Sequence, residues 1–369
     1  MSFPRTIVLY VGRRFLVAAL TALLALTLLV ALFDFIELLR RGASRPEASF
    51  AMIGAIAALR LPFLAMQIMP FAILLGGMLA FWRLARSSEL VVARAAGVSA
   101  WGFLLGPVVA AALIGGFAVA ALSPLSSVMF ARAERLENAV LRGGGGVTAL
   151  AGGKLWLRQA DNGIETGGVA ILAGRPVAGG GGFVLEDVSL WRLSGTDRLL
   201  ARVEVARATL APGRWVLTDA VAFGPDRRPL PPVELALPSE LTPGRIQDSF
   251  ASPDTLSVWA LPSFIQVLEG AGFSAIRHRL QFQSLLATPL LAIGMALLAA
   301  VFSTRSSRMG GTGRMIGTGV AAGFALFVLD RVTGEFGETG ALPVWLAAWT
   351  PSLAGLLLAL GLLLYLEDG

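Results

Sequence analysis

The chain has 369 residues, 56% of them hydrophobic and only 15% charged, against roughly a quarter charged in an ordinary soluble domain, so it reads as a membrane protein. Lys and Arg together number 30 against 24 Asp and Glu, a formal net charge of +6, and all but one of the cations are Arg, the exception being Lys154. The absence of Cys excludes disulfides, thiolate nucleophiles and Cys-ligated zinc, and the single His, His278, argues against a His-rich metal site or a Ser-His relay.

A helix needs about 20 predominantly apolar residues to cross a bilayer, and six segments qualify. The first runs from about Phe15 to Phe35, preceded by Arg13 and Arg14 and closed by Asp34, Glu37, Arg40 and Arg41. Its apolar stretch is too long for a cleaved signal peptide, and no small-residue cleavage site follows it. The second runs from about Leu61 to Trp82 with Pro62 and Pro70 inside, which predicts a kink, and the third from about Trp101 to Leu122, ending at Pro124. The fourth spans about Leu285 to Phe302, the fifth about Ile316 to Val332 and the sixth about Leu342 to Leu364.

Between the two sets of three helices the apolar character breaks up. Lys154–Arg158, Phe183–Leu193, Leu200–Leu210 and Trp215–Phe223 alternate apolar and polar residues with period two, which predicts antiparallel strands with one buried face. Trp156, Trp191 and Trp215 fall in these strands and are expected in the core of the β domain. The glycine tetrads Gly143–Gly146 and Gly179–Gly182 read as connections rather than phosphate cradles. An amphipathic helix over about Leu256–Glu269 leads back to the membrane. The expected organisation is therefore residues 1–124 with helices one to three, residues 125–280 as an inserted all-β, jelly-roll-like domain with its returning helix, and residues 281–369 with helices four to six.

Short-loop Arg residues set orientation. With a cytoplasmic N-terminus, the inner side receives Arg5, Arg13, Arg14, Arg83, Arg86, Arg94, Arg305, Arg308 and Arg314. The outer side receives Arg331 and, in its first loop, Arg40, Arg41, Arg45 and Arg60, which is unusually basic for that side and invites a functional explanation.

Chemistry is narrowly bounded. A P-loop needs Gly-x-x-x-x-Gly-Lys-[Ser/Thr], but the only Lys is followed by Leu155. Gly97-Val98-Ser99-Ala100-Trp101 and Gly272-Phe273-Ser274-Ala275-Ile276 each lack the last Gly of a nucleophile elbow. A gradient-driven carrier usually keeps ionisable groups at mid-membrane despite a cost of about 2.5–3.5 kcal/mol each, whereas Asp34 and Asp330-Arg331 stand at helix ends. The loop between helices two and three is the most informative segment. In Arg86-Ser-Ser-Glu-Leu-Val-Val-Ala-Arg-Ala-Ala-Gly97, Ser87 or Ser88 caps a short helix of about residues 87–97, Glu89 complements its dipole and Gly97 ends it. On periodicity alone this is an interfacial loop helix or a coupling helix that inserts into an ATPase subunit.

That loop resembles the coupling segment of the LptF/LptG permease family of the lipopolysaccharide transport ABC exporter. The likeness extends through Phe33-Asp-Phe-Ile-Glu-Leu-Leu-Arg-Arg41, the inserted β domain, Ala287-Thr-Pro-Leu290 and Phe327-Val-Leu-Asp-Arg331 with Gly334. The end of helix one and the Glu89-Leu-Val-Val92 stretch resemble LptG more than LptF. The resemblance implies a non-catalytic permease in the bacterial inner membrane with its β domain in the periplasm. Its implied partners are an LptB-type ATPase dimer, a second LptF-type permease, an LptC-type bridge protein with its membrane helix, and lipopolysaccharide, with no nucleic acid. No cofactor is expected in the chain itself, since ATP would be used by the partner ATPase.

The resemblance also assigns residues. Glu89 matches the coupling-helix acid expected to meet a basic residue of the ATPase, with Arg94 in support. Arg40, Arg41 and Arg45 would face lipid A phosphates, which guanidinium groups pair with bidentately, and Arg132 and Arg135, three apart on one helix face, resemble basic residues at the corresponding family position. The plainer explanation for each Arg is anchoring to any lipid headgroup, and for Glu89 it is helix N-terminal stabilisation. A competing reading of the whole chain is a membrane-anchored β-domain scaffold or regulatory protein without transport activity.

Overall fold

The computed structural model describes residues 5–43, 49–89, 92, 95, 99–141, 148–151, 154–161, 168–179, 182–194, 198–223, 235–239, 252–270, 273–307 and 312–367. Two compact units emerge: Met1–Glu137 with Pro253–Pro262 and Ile276–Gly369, and Asn138–Ser252 with Ser263–Ala275.

Among the described residues, the first unit holds six helices long and apolar enough to cross a membrane. Helix α1 spans Arg5–Gly42; at about 1.5 Å per residue it exceeds the roughly 30 Å hydrocarbon thickness, so its Arg-bearing ends reach the interfaces. Helix α2, Phe50–Arg86, starts where the Ser49 hydroxyl accepts from the Met52 N–H at 3.2 Å, and contains Pro62 and Pro70. It begins well before Leu61, so Arg60 belongs to a helix body and not to the first outer loop.

Helix α3, Ala100–Phe117, is capped by Ser99 and passes through a π-helical turn at Ala118–Leu122 into α4, Ser123–Leu141. Pro124 was expected to end this helix, but the chain remains helical beyond it. The π turn shifts the hydrogen-bond register at the point where Pro124 has no N–H to give. The Ala120 carbonyl, four residues earlier, accepts instead from Trp259 Nε1 at 3.2 Å, and Ser123 Oγ accepts from the Val258 N–H at 3.3 Å.

Helices α5 (Leu261–Gly270), α6 (Ile276–Ser307), α7 (Thr312–Glu338) and α8 (Val344–Glu367) follow. The amphipathic segment expected from Leu256 starts only at Leu261, because Pro262 suits a first helical turn but not its interior. Helix α6 is the hub, packed against α2, α3, α7 and α8. The core of the unit includes Phe15, Leu74, Met78, Phe81, Leu298 and Ala299. Small residues set how closely α1 approaches its neighbours. A Cβ on Gly76 would lie 2.6 Å from Ala19 Cα, and one on Gly106 would overlap the Val8 carbonyl oxygen. Within a bilayer, where water does not drive helices together, such close packing is a main source of association. By contrast, Leu20, Leu24, Leu28 and Leu32 of α1 and Val320, Phe324, Phe327 and Val328 of α7 are exposed, apolar and at helical spacing.

The second unit is built on a seven-stranded antiparallel sheet in sequential order: β1 Thr148–Ala151, β2 Lys154–Ala160, β3 Val169–Gly179, β4 Gly182–Leu193, β5 Leu199–Ala211, β6 Arg214–Phe223 and β7 Leu235–Pro238. Leu155, Leu172, Leu190, Val203, Trp215 and Leu237 bury its apolar face. The sheet curls, because Gln159 of β2 reaches the far edge: its Oε1 accepts from Ser239 Oγ at 2.7 Å and from Trp215 Nε1 at 3.3 Å, while its Nε2 donates to the Pro238 carbonyl at 3.0 Å. Of the three tryptophans expected in the core, only Trp215 is there, fully buried. Trp156 is 39% exposed and stacks on Trp191 at 5.5 Å with the rings 3° apart, and Arg202 lies 5.9 Å over the Trp191 ring.

Candidate functional site

One charged cluster gathers where the C-terminal end of α1 meets the N-terminal part of α2 and the C-terminal part of α4. The last turns of α1 place Glu37, Arg40 and Arg41 at helical spacing, and Glu37 accepts from both arginines: Arg40 Nε to Oε2 at 2.8 Å, Arg40 Nη2 to Oε1 at 2.9 Å, and Arg41 Nε to Oε1 at 2.8 Å. One turn earlier, Arg60 of α2 donates from Nη1 to Asp34 Oδ1 at 2.7 Å and from Nη2 to Glu137 Oε2 of α4 at 2.9 Å. Arg41 Nη1 approaches Glu137 Oε1 at 3.8 Å, joining the two halves. Phe63 and Phe130 stack at 4.2 Å beneath them, and the Arg60 guanidinium lies 5.8 Å over the Phe130 ring.

Burial separates two roles within the cluster. The Glu137 side chain is 6% exposed and that of Arg60 19%, so their pair is a fastening between helices, costly to leave half-made. The Arg40 and Arg41 side chains are 76% and 52% exposed. Their pairing to Glu37 is of the solvent-exposed kind, which water and salt screen and which contributes little to stability. Arg132 and Arg135 are exposed on α4, shortly before Glu137, and neither is ion-paired among the described residues. Arg45 lies outside the described residues.

Of the basic residues expected near the end of helix one, Arg40, Arg41 and Arg60 are paired with carboxylates of this chain. Asp34 and Glu137 serve Arg60, and Glu37 serves Arg40 and Arg41. Arg60 and Glu137 were not anticipated as site residues. The available signal was an Arg embedded in an otherwise apolar helix, which requires a partner.

At the other end of α2, Ser87 closes the helix and its N–H donates to the Arg83 carbonyl at 3.0 Å. Ser87 Oγ lies 2.8 Å from Glu89 Oε1, nearer than to the Arg83 and Leu84 carbonyls. Ser88, at φ 58°, reverses the chain, and its carbonyl accepts from the Val92 N–H at 3.1 Å. Glu89, Val92 and Ala95 are helical and exposed. Ser87 thus terminates one helix and orients the Glu89 carboxylate. Arg94 and the remainder of the expected coupling segment lie outside the described residues.

Comparison with known proteins covers this architecture almost end to end. Residues 9–365 match the family described as lipopolysaccharide export system permease LptF/LptG. The chain is 25% identical over 376 aligned positions to the lipopolysaccharide export system permease protein LptG of Escherichia coli strain K12, covering 96% of this chain and 97% of that one. To the protein of the same name from Haemophilus influenzae it is 24% identical over 357 positions, covering 93% and 94%. These relatives carry the LptG name, in line with the LptG-like ends of helix one and the Glu89 stretch. With six membrane-crossing helices, an inserted sheet and a match spanning nearly all its length, the chain belongs to the LptF/LptG family of lipopolysaccharide export permeases.

Proposed function

We propose that this chain is one permease of a pair in an ATP-driven exporter that extracts lipopolysaccharide from the outer leaflet of the inner membrane and passes it to a periplasmic bridge. In this reading the β domain is periplasmic, and the cytoplasmic Glu89 segment couples to an LptB-type ATPase dimer. A second LptF-type permease completes the lipid path, and an LptC-type protein receives the lipid or adds its helix. The observation that carries the reading is the pairing of exposed apolar stripes on α1 and α7 with a rim of exposed Arg at the outer end of α1 and on α4. Such an arrangement suits an amphiphile with several acyl chains and phosphorylated sugars: the stripes offer a surface for acyl chains or for a partner permease, and the guanidinium groups suit the phosphates. The absence of a P-loop sequence makes an ATPase partner necessary if ATP is the fuel.

The test is reconstitution of the chain with a second permease and the ATPase in lipopolysaccharide-containing vesicles. ATP-dependent release of lipopolysaccharide to an acceptor is expected. Release that persists without the ATPase would overturn the ATP-driven reading in favour of a gradient-driven carrier, and no release under any condition would favour the scaffold.

A further inference from the structure

Between α1 and α2, at the end opposite the Glu37 cluster, lies a cavity of about 630 Å³. Its polar wall carries Tyr10, Arg13 and Arg14 of α1, Arg83 of α2, and Glu89. Below these, Val17, Ala18, Leu79, Ala80 and Leu84 form an apolar floor. Three guanidinium groups thus converge on one space that contains a single carboxylate, and that carboxylate already accepts from Ser87. Among the described residues none of the three arginines is ion-paired; Arg14 Nη2 donates only to Tyr10 Oη, at 3.1 Å, and lies 5.3 Å over its ring. Tyr10 accepts that bond, so its own O–H remains available to an external acceptor.

Three cations against one carboxylate leave the cavity with excess positive charge among the described residues, which an anion presenting several acceptor oxygens balances. The apolar floor selects among anions, because it rewards a phosphate carried on a hydrocarbon stem. It also continues into the exposed α1 stripe of Val17, Leu20 and Leu24, along which an acyl chain would lie. Since α1 is longer than the hydrocarbon is thick, Arg13 and Arg14 fall at headgroup depth.

We propose that this cavity binds the phosphodiester headgroup of an anionic phospholipid, in the leaflet opposite the one facing the Glu37 cluster. The site is separate from the export path, and the leaflet assignment rests on the orientation given under the proposed function. It borders Glu89, so occupancy sets the charge environment of the coupling segment.

The experiment is native mass spectrometry of the full chain released from nanodiscs of mixed phosphatidylglycerol and phosphatidylcholine, with a lipid titration for affinity. Wild type retains phosphatidylglycerol in preference to phosphatidylcholine. Arg13→Gln with Arg83→Gln weakens that retention about tenfold, the scale expected for losing two charge-assisted phosphate contacts, while Arg13→Lys with Arg83→Lys, which keeps the charges and guards against a folding artefact, stays within a few-fold of wild type. Equal retention of both lipids by wild type, or undiminished phosphatidylglycerol retention in the Gln pair, overturns the proposal. Displacement of the lipid by millimolar inorganic phosphate overturns the lipid as the source of the phosphate. Nanodiscs expose both leaflets, so failure here leaves the membrane orientation untouched; protease access to the β domain in sealed vesicles reads that separately.

Discussion

Arg60 and Glu137 stand 77 positions apart in sequence and meet at 2.9 Å, the Arg also holding Asp34 at 2.7 Å, so that one guanidinium ties α1, α2 and α4 together. Removing the guanidinium would strand two largely buried carboxylates. Arg60→Met should lower unfolding stability by about 3–5 kcal/mol, the usual cost of leaving a buried charge unpaired. Combining it with Glu137→Gln should recover part of that loss. Thermal unfolding in detergent measures both, and strictly additive effects would contradict the pairing.

Glu37 competes with any external anion for Arg40 and Arg41. Replacing it with Gln weakens that competition, so photo-cross-linking of lipopolysaccharide near these arginines should rise roughly two- to threefold, the scale of a surface ion pair. Reversing the charge of Arg40 and Arg41 together should reduce lipopolysaccharide cross-linking more than phospholipid contact. An equal loss for both lipids would mean general headgroup anchoring.

Among the described residues Glu89 accepts from Ser87 alone, and its side chain is exposed. As a helix N-terminal acid it contributes about 0.3–1 kcal/mol. A charge-assisted contact to an ATPase would contribute more, and Glu89→Ala should lower lipid-stimulated ATP hydrolysis roughly tenfold while the isolated chain unfolds at nearly the wild-type temperature. Wild-type ATP hydrolysis in the variant would remove Glu89 from coupling.

Asp254, in the 3₁₀ turn Pro253–Thr255, accepts from Gln281 Nε2 at 2.9 Å. Burial raises its pKa above the ordinary carboxylate value, nearby Glu338 raises it further, and Arg331 opposes both. The fold therefore disfavours the ionised form. The stability from this group is full below the unfolded-state pKa and is lost as pH rises through the higher folded-state value. Asp254→Asn keeps the acceptor for Gln281 and removes the ionisation. Its Tm should exceed that of wild type at pH 7, with the difference shrinking as pH falls toward the ordinary carboxylate range. A difference that grows on acidification would contradict this account.

The helical spans and β4, β5 and β6 could be read from sequence because continuous apolar runs and strict alternation report burial directly. Strand β3 could not, since Val169–Ala173 is apolar without alternation and Gly174, Arg175 and Pro176 read as a break. Gly174 marks a register shift in the pairing with β4, and a Cβ there would lie 2.7 Å from Val188 Cγ2. The curl set by Gln159 depends on contacts between distant strands and leaves no local signature. Trp156 and Trp191 followed the alternation but faced the other side, where stacking on each other substitutes for core burial. In the site, the exposed Arg pair at the end of α1 was evident from composition. The Arg60–Glu137 fastening was not, because a helix that continues past Pro124 had first to bring Glu137 alongside α2.

On the proposed function, this chain acts within an ATP-driven lipopolysaccharide exporter. Native mass spectrometry of the complex purified from membranes through this chain alone tests it most directly, because subunits and retained lipid are weighed together. The account predicts a particle containing this chain, a second six-helix permease, two copies of an ATPase and bound lipopolysaccharide. A particle with neither ATPase nor glycolipid would contradict it.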